Sequence, residues 1–179
     1  IYTLHEQSAS LASVANAKVS NGSFGCSVFT TGPGSTNALT GILGAWNDSI
    51  PCLFLSGQVR SNHVSYGKKI RQVGTQEAPI CEIVKPIVKY SYFIKNPKNF
   101  QKDLEKAIFI ACSGRPGPVW IDIPLDYQWL DIPFDPNFKF KFVSKKFQLN
   151  KIHKFEKMIN EAKKPLLILG YGIRSSNTI

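Results

Sequence analysis

The segment that most constrains the fold is Thr31-Gly32-Pro33-Gly34-Ser35-Thr36-Asn37. The run before it, Ser27-Val28-Phe29-Thr30, is short, apolar and β-prone, and the run after it, residues 38–46, has helical spacing. A strand that ends in Gly-Pro-Gly and opens into a helix turns sharply and presents bare backbone to a ligand. Crevices at strand ends are where open α/β sheets bind ligands.

The same alternation runs along the chain. Residues 7–19 have helical spacing, with Leu11, Val14, Ala15 and Val19 expected on the buried face, and Asn21-Gly22 ends them. A strand is expected near 25–31, then a helix to about Trp46, broken by Asp48-Ser49-Ile50-Pro51. Residues 52–57 read as a buried strand, 60–76 as a polar, basic loop, and 87–94 as a weakly alternating strand. Residues 99–113 form an amphipathic helix through Phe100, Leu104, Ala107, Ile108 and Ala111. Gly114-Arg115-Pro116-Gly117-Pro118 stops it, and 119–124 is a further strand. Alternating strands and helices predict an α/β fold with a parallel sheet flanked by helices.

After Pro124 the texture changes. Residues 130–149 are rich in aromatics and lysine and read as a linker; 152–162 looks helical, and 165–170 reads as the first strand of a second α/β unit. The chain starts at Ile1-Tyr2-Thr3-Leu4 without Met and stops soon after that strand, so it reads as an internal piece of a longer protein.

Composition narrows the function classes. The net charge of +10 comes from basic residues spread along the chain, without a recognition-helix or RNA-binding motif, so a nucleic-acid partner is not expected. No apolar run is long enough to span a membrane. Cys26, Cys52, Cys81 and Cys112 lack metal-ligand spacing, so no metal site is expected on them, and they suit a reducing cytoplasm.

Four segments, in order, carry a resemblance. They are His5-Glu6-Gln7, then Thr31 to Asn37, then Asp48-Ser49-Ile50-Pro51 with Ser56-Gly57-Gln58-Val59, and Gly114 to Val119 with Asp122-Ile123-Pro124. Together they resemble the pyrimidine-binding domain of thiamine diphosphate enzymes, in the branch of acetolactate (acetohydroxyacid) synthase large subunits. The resemblance covers residues 4–126, and 156–172 looks like the start of that family's central domain. It implies a pyrimidine-binding domain over 1–128, a linker over 129–150, and the start of a central domain over 151–179.

The resemblance also implies site residues. Glu6 falls on the catalytic glutamate that hydrogen-bonds N1′ of the cofactor's aminopyrimidine, favouring the tautomer that removes the thiazolium C2 proton. Burial of such a carboxyl is expected to raise its pKa. Gly32, Pro33, Gly34 and Asn37 fall on the wall beside the ring, Gln76 on an active-site glutamine, and Arg115 on an arginine that contacts flavin (FAD). Thr75 and Leu125 stand where the family pattern has a phenylalanine and a lysine of the substrate pocket, and the 65–74 loop is longer and more basic than usual. The implied activity is a thiamine diphosphate-dependent transferase that decarboxylates pyruvate and joins the two-carbon unit to a second 2-oxo acid, serving branched-chain amino-acid biosynthesis. Thiamine diphosphate and Mg²⁺ would be completed by a missing C-terminal domain, in a homodimer or homotetramer with the site between subunits. Two alternatives stand beside this: a thiamine diphosphate-dependent decarboxylase or lyase for another oxo-acid or sugar-derived substrate, and a non-catalytic α/β binding module.

Overall fold

The computed structural model describes residues 1–20, 23–141 and 152–175. Two units are distinct, Ile1–Phe140 and Lys141–Ile179.

The first unit is built on a four-stranded sheet: β1 (Gly25–Phe29), β2 (Cys52–Gln58), β3 (Tyr90–Phe93) and β4 (Pro118–Pro124). The spatial order is β1-β2-β4-β3 and every pairing is parallel, as the alternation predicts. The helices are α1 (Glu6–Val19), α2 (Pro33–Asn37), α3 (Leu39–Asp48), α4 (Ile80–Val84) and α5 (Phe100–Cys112). β2 and β4 are central and buried on both faces, which is why they read as near-continuous apolar runs.

Side-chain alternation divides the core into two layers. Phe54 and Trp120 project to one face with Phe29, Ile42, Ile80 and Val84; Leu53, Val119 and Ile121 project to the other, against Ala107 and Ala111 of α5. Phe29 and Trp120 stack with centroids 5.5 Å apart and an 11° interplanar angle, and Phe54 completes the cluster 6.0 Å from Trp120.

Three expectations are corrected. Helix α1 buries Ser10, Ser13, Val14 and Ala17, while Leu11, Ala15 and Val19 are exposed. The small face lets α1 approach closely: a Cβ on Gly41 would meet Ser10 Oγ at 2.3 Å, and one on Gly25 would meet the Ser13 carbonyl at 2.3 Å. The expected single helix after the glycine junction is two, α2 and α3, divided at Ala38. The segment expected as one strand over 87–94 is shorter, Tyr90–Phe93, and is preceded by α4 and a 3₁₀ turn over Lys85–Ile87.

In the second unit, α6 (Ile152–Glu161) forms where helical spacing predicts it, and α7 (Gly172–Ser175) follows. The strand expected over 165–170 does not form. Among the described residues no strand pairs with that segment, and a strand without a neighbour leaves its N–H and C=O groups to water. Residues 130–141 lack regular structure, and those up to Phe140 belong to the first unit; the rest of the expected linker lies outside the described residues. No helix among the described residues is long and apolar enough to cross a membrane.

Candidate functional site

Helix α1 runs back along β1, so its first residue reaches the carboxyl end of the sheet. The His5 ring caps that helix, its Nδ1 accepting from the Gln7 N–H at 3.1 Å. Glu6, in the first turn, projects towards the glycine junction, where Asn37 Nδ2 donates to its Oε2 at 3.1 Å. Gly34 lies against the same carboxylate: a Cβ there would sit 3.0 Å from Glu6 Oε1 and 2.2 Å from Thr30 Cγ2. A larger residue at 34 would clash first with the Thr30 methyl and then crowd the Glu6 carboxylate. The carboxylate borders a cleft of about 160 Å³, lined also by Leu4, His5, Ala9, Val28, Phe29 and Thr30.

The expectation of a raised pKa at Glu6 is reversed. The Asn37 amide, then the residue's own N–H, hold the carboxyl below the usual carboxylate range, with His5 adding to them and only slight burial opposing. Glu6 is therefore ionised at neutral pH.

Gly32, the residue before α2, has φ +58° and ψ −119°, a conformation that glycine alone adopts freely. A Cβ at this position would meet the Gln76 carbonyl oxygen at 2.0 Å. Gln76 itself has φ +60°, so two unusual backbones lie face to face. Pro33 occupies the first turn of α2 and removes one N–H, and α2 is five residues long. The junction therefore offers bare glycine backbone as a wall rather than an extended helix N-terminus.

Thr75 is exposed in the same turn as Gln76. The loop before it is clasped by Glu77, whose carboxylate accepts from the Ser65 N–H and, at 2.7 and 2.9 Å, from Ser65 Oγ and the Val73 N–H. Lys68, Lys69 and Arg71 on this loop are exposed. Leu125 is exposed and opens the 3₁₀ turn after β4, also at the carboxyl end. Arg115 is elsewhere. It precedes β4, at the amino end of the sheet, where its Nε donates to Ser49 Oγ at 2.7 Å. With Trp46, Asn47, Lys89 and Pro116 it lines a separate cavity of about 370 Å³. The structure thus gathers Glu6, Gly34 and Asn37, sets Gly32 against Gln76, and keeps Arg115 apart.

Reading the sequence by motif assigned no role to a buried polar row beneath the junction. Asp122, fully buried in β4, accepts from Ser56 Oγ at 2.5 Å and from Gln58 Nε2 at 2.9 Å. Burial pushes its carboxyl up to about 7, against the pull of those two hydrogen bonds. The available signal was an aspartate inside an apolar strand, which must find partners.

Residues 1–82 match the model of the thiamine pyrophosphate enzyme, N-terminal TPP binding domain. Residues 1–82 are thus similar to the N-terminal domain of thiamine pyrophosphate enzymes. Over nearly its whole length the chain is also similar to acetolactate synthases. It is 37% identical to the acetolactate synthase large subunit of Haemophilus influenzae, covering 96% of this chain and 30% of that one. It is 37% identical to the Lactococcus lactis large subunit, covering 100% and 31%, and 33% identical to the chloroplastic acetolactate synthase of Arabidopsis thaliana, covering 97% and 26%. The chain thus spans under a third of the length of these relatives. The Glu6 cluster, the glycine junction and Gln76 all lie within the matched N-terminal domain; Arg115 and Leu125 lie beyond it.

The site suits a flat aminopyrimidine. An ionised carboxylate stands at the lip of a small cleft, over a Cα that carries no side chain. A carboxylate in that position would accept a hydrogen bond from the protonated edge of such a ring.

Proposed function

We propose that this chain is the N-terminal part of a thiamine diphosphate-dependent carboligase of the acetolactate synthase type, acting on pyruvate and a second 2-oxo acid. The observation that carries the reading is the Glu6 carboxylate, held by Asn37 over Gly34, within a chain similar throughout to acetolactate synthases. Thiamine diphosphate, when bound, supplies the carbanion chemistry. The protein's part is orientation and proton control. Ionised Glu6 stabilises a proton at N1′ of the ring; Asn37 fixes the carboxylate and keeps it charged. The junction Gly32-Pro33-Gly34 admits the ring to backbone distance. Gln76, Thr75 and Leu125, at the same end of the sheet, form the substrate side.

In this reading residues 1–128 are the pyrimidine-binding domain, 129–150 the linker and 151–179 the start of the central domain. Mg²⁺ and the cofactor diphosphate are held by the rest of the protein, and a second subunit completes the site in a homodimer or homotetramer. Arg115 and its 370 Å³ cavity are assigned to FAD. The free cysteines support a reducing cytoplasm, and the similarity to acetolactate synthases supports a role in branched-chain amino-acid biosynthesis.

A second reading is favoured by Thr75, Leu125 and the exposed cations of the Glu77-clasped loop: the same chemistry on another oxo-acid or a sugar-derived acidic substrate. The test is the full-length protein with thiamine diphosphate, Mg²⁺ and pyruvate, assayed for acetolactate. Formation of acetolactate supports the first reading. Bound cofactor without acetolactate overturns it and leaves the second.

A further inference from the structure

Gln58 hydrogen-bonds to the segments on both sides of the Gly32–Gln76 contact. Its Oε1 accepts from Thr31 Oγ1 at 3.1 Å, one residue before Gly32, and from the Val59 N–H at 2.9 Å. Its Nε2 donates to the Ala78 carbonyl at 2.9 Å, two residues after Gln76, and to Asp122 Oδ2 at 2.9 Å. An amide has two acceptor sites and two donor hydrogens, and all four are used. The Val59 N–H and the Ala78 carbonyl, both backbone, fix which end of the amide is nitrogen.

Asp122 holds this amide from below. Ser56 Oγ donates to its Oδ1 at 2.5 Å and in turn accepts from Trp120 Nε1 at 2.9 Å, so the carboxylate is itself fixed to the aromatic core. Gln58 and Asp122 lie in neighbouring strands, in the register that pairs Ser56 with Asp122. Both side chains are buried, where unpaired polar groups are costly and the network therefore resists rearrangement. Tyr66, from the basic loop, packs edge-on to Phe93 with ring centroids 5.1 Å apart, and its hydroxyl is raised by burial and then by the Asp122 charge.

We propose that Gln58, oriented by Asp122, is a positioning residue that locks the glycine junction against the Gln76 turn and so sets the wall on which the aminopyrimidine rests. The inference depends on the cofactor reading above for its ligand, but not for the lock itself.

The test uses the full-length protein with Thr31→Val, Thr31→Ser and Gln58→Leu. Thr31→Val removes only the hydroxyl that joins Gln58 to the junction, at nearly constant volume; Thr31→Ser keeps it. Two quantities are read: hydrogen exchange of the Thr36 and Glu77 amides without cofactor, and the Kd of thiamine diphosphate with Mg²⁺. In Thr31→Val, exchange at both amides is expected to rise and cofactor binding to weaken about fivefold, the scale of one net hydrogen bond. Thr31→Ser is expected to restore both, and Gln58→Leu to exceed Thr31→Val in both. Unchanged exchange at both amides in Thr31→Val overturns the lock. So does an equal effect of Thr31→Ser. Should Gln58→Leu not fold, the two Thr31 variants decide. Should the wild-type protein bind no thiamine diphosphate, the cofactor reading fails, and exchange alone decides the lock.

Discussion

Gly32→Ala tests the junction where its geometry is least forgiving. The backbone there, φ +58° and ψ −119°, costs a non-glycine residue about 1–3 kcal/mol. The new Cβ would lie 2.0 Å from the Gln76 carbonyl oxygen and 3.0 Å from its carbonyl carbon. Those are backbone atoms, so no rotamer change relieves the clash. The turn is further held through the Ala78 carbonyl on Gln58. Overpacking of this kind adds about 1–3 kcal/mol. A total near 4 kcal/mol is expected, read by urea denaturation of the full-length protein, with hydrogen exchange of residues 32–37 locating the loss. Gly44→Ala is the control. Gly44 lies inside α3, with nothing within 4 Å of a Cβ, so alanine there is expected to stabilise by about 0.5–1 kcal/mol. The two glycines stand 12 positions apart and should answer the same substitution with opposite sign. Gly32→Ala behaving like Gly44→Ala would refute the argument that the junction is pressed against Gln76.

Three further outcomes are expected. Glu6→Gln keeps the shape of the side chain but not its charge, and should slow exchange of the C2 proton of bound thiamine diphosphate by at least about 100-fold; a wild-type exchange rate removes Glu6 from the chemistry. Leu125→Lys, in the exposed turn after β4, should shift the preference between pyruvate and 2-oxobutyrate towards that of acetolactate synthases; unchanged kinetics with both count against a substrate-side role. Asp122 is raised from 3.8 to about 7, so the folded protein holds its proton more tightly than the unfolded chain does. Its contribution to stability is then greatest below about pH 4, falls as pH rises to about 7, and is flat above, a loss of up to about 4 kcal/mol. Asp122→Asn should remove that slope from urea denaturation measured across the range, and an identical slope in the variant assigns it to other groups.

How much of this was legible in the chain depends on what each element buries. β2 and β4 are covered on both faces, so apolar runs reveal them, and α5 shows the face it packs on the sheet through a regular apolar stripe. α1 was legible as a helix but not fully in its orientation, because apart from Val14 the face it buries is serine and alanine, while Leu11 and Val19 face outward. α4 is five residues long, too short for a period to declare itself. Residues 165–170 carry a strand's composition, but composition does not supply a neighbour. At the site, the motif resemblance pointed to Glu6 and Asn37 separately. Their contact spans 31 positions and follows only from α1 lying back along β1. The sign of the Glu6 pKa shift was misjudged for the same reason: burial was assumed, whereas the hydrogen bond from Asn37 dominates.

The buried polar row explains why the chemistry collects at one end of the sheet. Along one face of β2 the side chains run Cys52, Phe54, Ser56, Gln58, and along the same face of β4 they run Trp120 to Asp122. Each strand thus passes from apolar to polar while still buried, a change that costs stability unless each polar group has a partner. The partners are supplied upward, by Thr31, Val59 and Ala78, the loop residues that frame the glycine junction. At the amino end the same strands offer no such row, and Arg115 instead meets Ser49 beside an open cavity. The sheet therefore presents two chemically different ends. The carboxyl end couples its core to its loops through buried side chains, so a substitution in the core at Ser56, Gln58 or Asp122 should be felt at Glu6 before it is felt at Arg115.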